Sequence, residues 1–84
     1  MSEELPQKIV AWATGIAEEA ARLPSRRARD TYLAERHREL VTSGVAEGAA
    51  HNDAVILADA CVNAARQIMT ELLAQRAGVP EGRA

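Results

Sequence analysis

Three side chains of this 84-residue chain have the chemistry of a nucleophile, a general base or a metal ligand: His37, His51 and Cys61. A catalytic cysteine needs a partly exposed thiol beside a base that removes its proton. Cys61 falls instead in the apolar row of a predicted helix, so the sequence favours a small core residue. His37 is expected at the boundary of the core, with the polar edge of its ring in water, where burial at an interface would let it register pH.

The spacing of the histidines, the cysteine and the acids does not match a metal site. There is no Cys-x-x-Cys, no His-Glu-x-x-His and no paired Glu-x-x-His pattern. Glu47 and His51 are four residues apart, but Gly48 is expected to interrupt the helix that would align them. We therefore predict no metal, no cofactor and no enzymatic activity. A metal or redox site that involves His37, His51 or Cys61 is a weaker alternative.

Five arginines within residues 26–40 form a candidate anion-binding site, because guanidinium groups bind phosphate and other anions. On a helix, Arg29 and Arg36 would lie on one flank of the apolar stripe, and Arg27 and Arg38 on the other. The positive charge is thus divided between two faces. Acidic residues at helical spacings, such as Asp30 four residues after Arg26 and Glu39 three residues after Arg36, indicate ion pairs along the helix surface.

The start of the predicted second helix is unusually basic. Arg26, Arg27 and Arg29 would occupy its first turn, where cations oppose the helix dipole and where free N–H groups can bind phosphate. The structural alternative is that Glu18 and Glu19 meet these arginines across the turn between the helices. We favour ion pairs or a solvated face, since exposed pairs are common and weak. The candidate anion site consists of Arg26, Arg27, Arg29, Arg36 and Arg38.

The composition argues against nucleic acid as the main partner and against a membrane. The net charge is −2, the isoelectric point is near 5.6, and there are one Trp, one Tyr and no Phe for base stacking. Apolar runs reach about five residues, far below the roughly 20 that cross a bilayer. The acidic start lacks a secretory pattern. Cys61 has no second cysteine with which to pair, so we expect a cytoplasmic protein without a cleaved export segment.

Apolar periodicity and helix-end signals predict three helices, at about residues 6–23, 25–47 and 52–77. They would form a single helical domain over residues 1–77, followed by a flexible C-terminal tail at residues 78–84. The residues that mark the helix ends are Pro6, Ser25, Gly48, Gly78 and Pro80.

Two of the predicted helices carry a regular apolar row. Spacings that alternate between four and three residues keep a row on one side of a helix. In the first helix the row is Ile9, Ala13, Ile16, Ala20 and Leu23. In the third helix it is Ala54, Ala58, Cys61, Ala65, Ile68 and Leu72, with Val55, Val62, Met69 and Leu73 beside it. Val10, Trp12 and Ala17 are expected to widen the first row. The second helix has the weakest stripe.

The predicted fold is therefore all-α, either a small three-helix bundle or a helical hairpin with an N-terminal helix. The chain has 18 alanines, which favour helix but contribute little apolar area. A domain of this size buries only about 60% of its unfolded surface. We therefore expect dimerisation to complete the fold. The residues expected to pack in the core or at the interface are Ile9, Ile16, Val62, Ile68, Met69, Leu72 and Leu73.

These patterns predict a non-catalytic helical module for protein–protein interaction, a small regulator, adaptor or inhibitor that acts through amphipathic helix faces. Its partner would be a second copy, another protein, or both. Ile56 falls on the otherwise polar face of the third helix, which suits an interaction role, but single exposed isoleucines are also common on protein surfaces. The alternative function is binding of nucleic acid or another polyanion through the arginine-rich second helix.

Overall fold

The computed structural model describes residues 7–77, and over this range the chain forms three α-helices packed against each other. Helix α1 spans Gln7–Ala21, α2 spans Arg26–Ala46 and α3 spans His51–Ala77. The described range contains no strand. The prediction of a small all-α bundle is confirmed, while the tail predicted at residues 78–84 lies outside the described residues.

The connection between α1 and α2, residues 22–25, is longer than the sequence suggested. Helix α1 ends at Ala21, two residues before the predicted boundary. The N–H groups of Arg22 and Leu23 donate to carbonyls three residues back, at 3.1 and 3.0 Å, so the last turn narrows. Pro24 disfavours helical backbone at the residue before it. Ser25 caps α2 as predicted, because its Oγ accepts from the N–H of Ala28 at 3.1 Å.

Two glycines shape the connection between α2 and α3. Helix α2 continues through Gly44, where an added Cβ would lie only 3.1 Å from the Cβ of Ala54. The two helices therefore approach closely at this point. Gly48 has a φ of +108°, which L side chains rarely adopt, and it terminates the helical conformation.

Side-chain bonds show how the helices are arranged. Asp30 of α2 bonds to Arg66 of α3 at 3.3 Å, and His37 of α2 bonds to Asp59 of α3 at 2.6 Å, so α2 and α3 run antiparallel. At the other interface, Arg76 near the end of α3 donates to the carbonyl at the end of α1 at 2.7 Å. Helices α1 and α3 therefore run parallel. Both α1 and α2 pack mainly on α3 and contact each other much less.

Small side chains form most of the core. Leu33 and Cys61 are the largest fully buried side chains among the described residues. The remaining buried hydrophobic residues are Ile9, Ala13, Ala17, Ala20, Ala21, Ala54, Ala58, Val62, Ala65 and Met69. Alanine allows helix axes to approach closely, but each one removes little apolar surface from water. The helices are therefore close together without a bulky centre.

The bundle has a three-helix end and a two-helix end. Helix α1 has 15 residues and α3 has 27, and their C-terminal ends lie side by side. The first turns of α3 therefore extend past α1, and α2 is the described helix that packs on them. Ala54 and Ala58 are buried there, whereas Ile56 is 66% and Leu57 43% exposed. The two-helix end thus leaves large apolar side chains in water.

None of the helices in residues 7–77 combines the length and the apolar character needed to span a lipid bilayer.

We predict that Leu33→Ala destabilises the fold by about 2–5 kcal/mol, because Leu33 is completely buried and the substitution leaves a cavity. Leu57→Ala removes the same atoms from a side chain that is 43% exposed, and it should cost less than about 1 kcal/mol. Urea unfolding followed by circular dichroism measures both. Equal losses in the two variants would contradict the packing described above.

Candidate interaction groove

A groove lies above α3 between α1 and α2, which contact each other little. It has a volume of about 820 Å³, and side chains of all three helices line it. Leu57, Ala58 and Cys61 of α3 form its floor. Because α1 and α2 contact each other so little, neither helix closes the groove from above. We call this feature the main groove.

The walls of the main groove are apolar and aromatic. Trp12 and Ile16 line it from α1, and Tyr32 and Leu40 line it from α2. Trp12 is 44% exposed, so its indole presents a large apolar surface to water. Exposed aromatic side chains in concave surfaces are typical of binding sites. The wall therefore has the composition of a recognition surface.

Charged side chains of both signs surround the main groove. From α1 these are Lys8 and Glu19, from α2 they are Arg36 and Glu39, and Glu47 follows the end of α2. The ammonium of Lys8 lies 5.7 Å from the ring centroid of Trp12, within the range of a cation–π contact. Neither sign dominates this rim. The rim therefore presents both positive and negative charges rather than a single strong field.

Arg36 is held by its own chain. Its Nη2 donates to Glu39 at 2.5 Å, and its guanidinium carbon lies 5.1 Å from the ring centroid of Tyr32. Its Nε is buried and has no hydrogen-bond partner in the described range. The pairing of Arg36 with Glu39 is the one that the helical spacing predicted. Arg36 thus forms part of the groove wall.

The other predicted anion-binding arginines have different environments. Arg29 is half-buried, and its Nη1 donates to the carbonyl of Leu23 at 3.2 Å. This hydrogen bond stabilises the turn after α1. Arg26, Arg27 and Arg38 are exposed, and they make no ion pair within residues 7–77. The five arginines are therefore not brought together into one patch.

The expected pairing of the first helix with the arginine stretch is wrong. Glu19 pairs with Arg22, three residues further along the chain, at 2.8 Å, and no pair joins Glu18 or Glu19 to the start of α2 in the described range. Asp30 likewise pairs with Arg66 of α3 rather than with Arg26. Glu19 pairs at a local helical spacing. The pairing of Asp30 with Arg66 instead depends on how α2 and α3 pack, which sequence spacing does not reveal.

Cys61 lies at the floor of the main groove and is 1% exposed. Burial raises the pKa of its thiol, because the charged thiolate would lose its hydration. The thiol is therefore protonated at neutral pH. A protonated, buried thiol is a poor nucleophile and a poor metal ligand.

The two histidines line a different groove. This second groove has a volume of about 620 Å³ and lies between α2 and the start of α3. His37 and His51 line it together with Arg38, Val45 and Val55. His37 already shares a hydrogen bond with Asp59, and Cys61 belongs to the main groove. Among residues 7–77 there is no cluster of three His, Cys, Asp or Glu side chains that could hold a metal ion.

All seven residues expected to pack lie in the core or against it. Ile9, Val62 and Met69 are buried in the core cluster. The residues that are partly buried and pack against this cluster are Ile16, Ile68, Leu72 and Leu73. Ile16 also lines the main groove, so it joins the core to the candidate interaction surface.

Sequence reasoning missed two apolar residues of the groove. Trp12 was expected to widen the buried row of α1, yet it is 44% exposed because it lines the open main groove. Leu57 was not singled out, although it follows Ile56 and both precede the part of α3 that α1 covers. The sequence did contain a signal for this exposure. The predicted third helix is longer than the first, so the first helix cannot cover all of it.

Comparison with models of protein families, with curated proteins and with solved structures gave no match.

We predict that Cys61 reacts slowly with a disulfide thiol reagent such as Ellman's reagent at pH 8. The raised pKa keeps the thiol protonated and burial excludes the reagent, so the native rate should be more than about tenfold below that in denaturant. The absorbance of the released thiolate follows the reaction. A native rate equal to the denatured rate would show that the floor of the groove is open to reagents.

Proposed function

We propose that this protein is a non-catalytic interaction module, a small regulator, adaptor or inhibitor, that binds a helical segment of a partner in the main groove. The observation that carries the proposal is the groove itself, with its apolar floor, aromatic walls and mixed-charge rim. Recognition of this type places the apolar face of a helix in a hydrophobic groove. The partner would be a second copy of the chain or another protein.

The dimensions of the groove support a helical ligand. On the α1 wall the lining residues run from Lys8 to Glu19, which corresponds to about 16 Å or three helical turns. The ligand helix would rest on Leu57 and contact Trp12 at the wall. These are the kinds of residues that contribute most of the binding free energy when an interface excludes water around them.

The composition of the core also supports a partner. Leu33 and Cys61 are the largest fully buried side chains in the described range, and most of the others are alanine. A partner that covers Trp12 and Leu57 would add buried apolar area that the chain alone does not provide. Binding to the folded state alone stabilises it by mass action.

The chemistry of the described residues gives little support to an enzyme. A nucleophilic cysteine requires an accessible thiol next to a base. Cys61 is buried and protonated, and His37 and His51 line the opposite groove. The proposal accordingly includes no metal and no cofactor. It also assigns the protein to the cytoplasm, because a single buried thiol suits a reducing compartment.

The exposure of three arginines favours a second candidate function, the binding of nucleic acid or another polyanion. Arg26, Arg27 and Arg38 are exposed and unpaired within residues 7–77. Arg27 and Arg38 lie on the same flank of α2, about 16 Å apart along the helix. Against this function, Arg29 and Arg36 are engaged by their own chain. We rank it below the interaction module.

The interaction proposal is tested by two neighbouring substitutions, Leu57→Glu and Ile56→Glu. Both residues are exposed and both changes add one negative charge, but Leu57 lines the main groove and Ile56 does not. We expect Leu57→Glu to lose a partner captured by the native protein from its own cells. Ile56→Glu should keep the partner. Circular dichroism checks that both variants are helical.

Retention of the partner by Leu57→Glu would contradict binding in the main groove. Loss of the partner in both variants would show that the binding surface lies on the outer side of α3. In either case the groove would no longer support the proposed function.

The polyanion function predicts binding to heparin at low ionic strength, with an affinity that falls steeply as salt is added. Arg27→Glu and Arg38→Glu should each weaken it strongly, whereas Lys8→Glu makes the same charge change on α1 and should weaken it little. Fluorescence anisotropy of labelled heparin measures the affinity. If the interaction module is the function, we expect no binding even at low salt.

A further inference from the structure

A second row of residues with helix-contact spacing lies on the exposed flank of α1. It consists of Lys8, Trp12, Gly15, Glu19 and Arg22, again at alternating intervals of four and three residues. This outer row is displaced by one position from the buried row. All five residues are exposed, and all except Arg22 line the main groove. Such spacing is that of a seam between two helices.

Gly15 has no role that the described chain explains. Glycine inside a helix is less favourable than alanine, because it loses more backbone freedom on folding. A Cβ added at Gly15 would meet no atom within 4 Å, so no neighbour in residues 7–77 requires a small residue there. Gly44, in contrast, is required by the contact with Ala54. The position of Gly15 suits the close approach of a surface that the described chain does not supply.

Trp12 and Gly15 are complementary in shape. They are three residues apart in the outer row, and the ring of Trp12 is 44% exposed while Gly15 leaves a gap. An indole from one helix could fill the space above Gly15 of an identical helix. Two such contacts form at once if the helices are related by a two-fold axis.

Two charges of the outer row, those of Lys8 and Glu19, obey the same symmetry, whereas the position opposite Arg22 is residue 5, outside the described residues. Lys8 and Glu19 have the same midpoint along the helix as Trp12 and Gly15, between residues 13 and 14. An antiparallel crossing about this midpoint therefore places Lys8 of one copy beside Glu19 of the other. The same crossing places each Trp12 over the opposite Gly15. The outer row is thus complementary to itself in shape and in charge.

We propose that a second copy of this chain occupies the main groove, with the two α1 helices antiparallel and the two-fold axis passing between Trp12 and Gly15. This inference rests on the proposed interaction function and specifies its partner. A second copy is favoured over a foreign helix because the complementarity is found within one helix. The two contacts of Trp12 would bury the apolar wall of both grooves.

The charge pairs provide a test that is specific for this arrangement. Lys8→Glu would set two carboxylates against each other at both pairs, and Glu19→Lys would set two ammonium groups against each other. Because either variant alone replaces two attractive pairs with two repulsive pairs, we expect the dimer Kd to rise about tenfold or more. In a heterodimer of the two variants, the glutamate at position 8 of one copy faces the lysine at position 19 of the other. The second pair is the native one, Glu19 with Lys8, so both pairs are attractive. The mixture should therefore associate like the native protein.

Sedimentation velocity over a dilution series measures the association. Trp12 is the sole tryptophan of the chain, so a blue shift of its emission with concentration reports its burial directly. Glu35→Lys serves as the control, since Glu35 is exposed and outside both grooves, and it should leave the Kd unchanged. Gly15→Leu should abolish association while the helical content is retained, because leucine favours helix over glycine and a Cβ at this position meets no atom of its own chain within 4 Å.

Two results would overturn the inference. One is a native protein that is monomeric at the highest attainable concentration. The other is a native dimer for which mixing Lys8→Glu with Glu19→Lys does not restore association. Neither result affects the capture experiment with Leu57→Glu and Ile56→Glu, so a failed second copy is distinguishable from a failed interaction function.

Discussion

The structure depends on the close packing of two helices against the small side chains of α3. Ala54, Ala58 and Ala65 give this helix a surface that other backbones can approach, and Gly44 of α2 lies directly against it. Small residues on α1 match this surface. Close packing keeps the three helices together, but each alanine contributes little hydrophobic free energy. The same residues that allow the fold therefore also limit its stability.

The unequal lengths of the helices then determine where apolar surface stays exposed. Helix α1 covers the C-terminal part of α3, and the first turns of α3 are covered by α2 alone among the described helices. Leu57 and the indole of Trp12 border the space that results. A longer α1, or larger side chains that filled the space between α1 and α2, would close the groove. The groove is thus a consequence of the helix lengths and of the small core.

The helices and the core residues could be predicted from the sequence because they follow local rules. Ser25 caps α2 through its own side chain, and Ile9 and Met69 are buried where periodicity placed them. Predictions failed where the answer depends on the register between helices. Asp30 pairs with Arg66 of α3, 36 residues away, rather than with the nearby Arg26. Periodicity marks an apolar flank, but it does not say whether a neighbouring helix covers it.

In the outer row of α1, Gly15 has no packing role within its own chain, and this is what suggests an interface there. A half-buried glycine such as Gly44 is explained by the side chain that lies against it. An exposed glycine inside a helix, beside an exposed tryptophan, carries a cost in helix propensity that its own chain does not offset. Such a cost is offset if another surface fills the gap. The exposed glycine of the outer row does not stabilise the isolated chain, and for that reason it supports the proposed second copy.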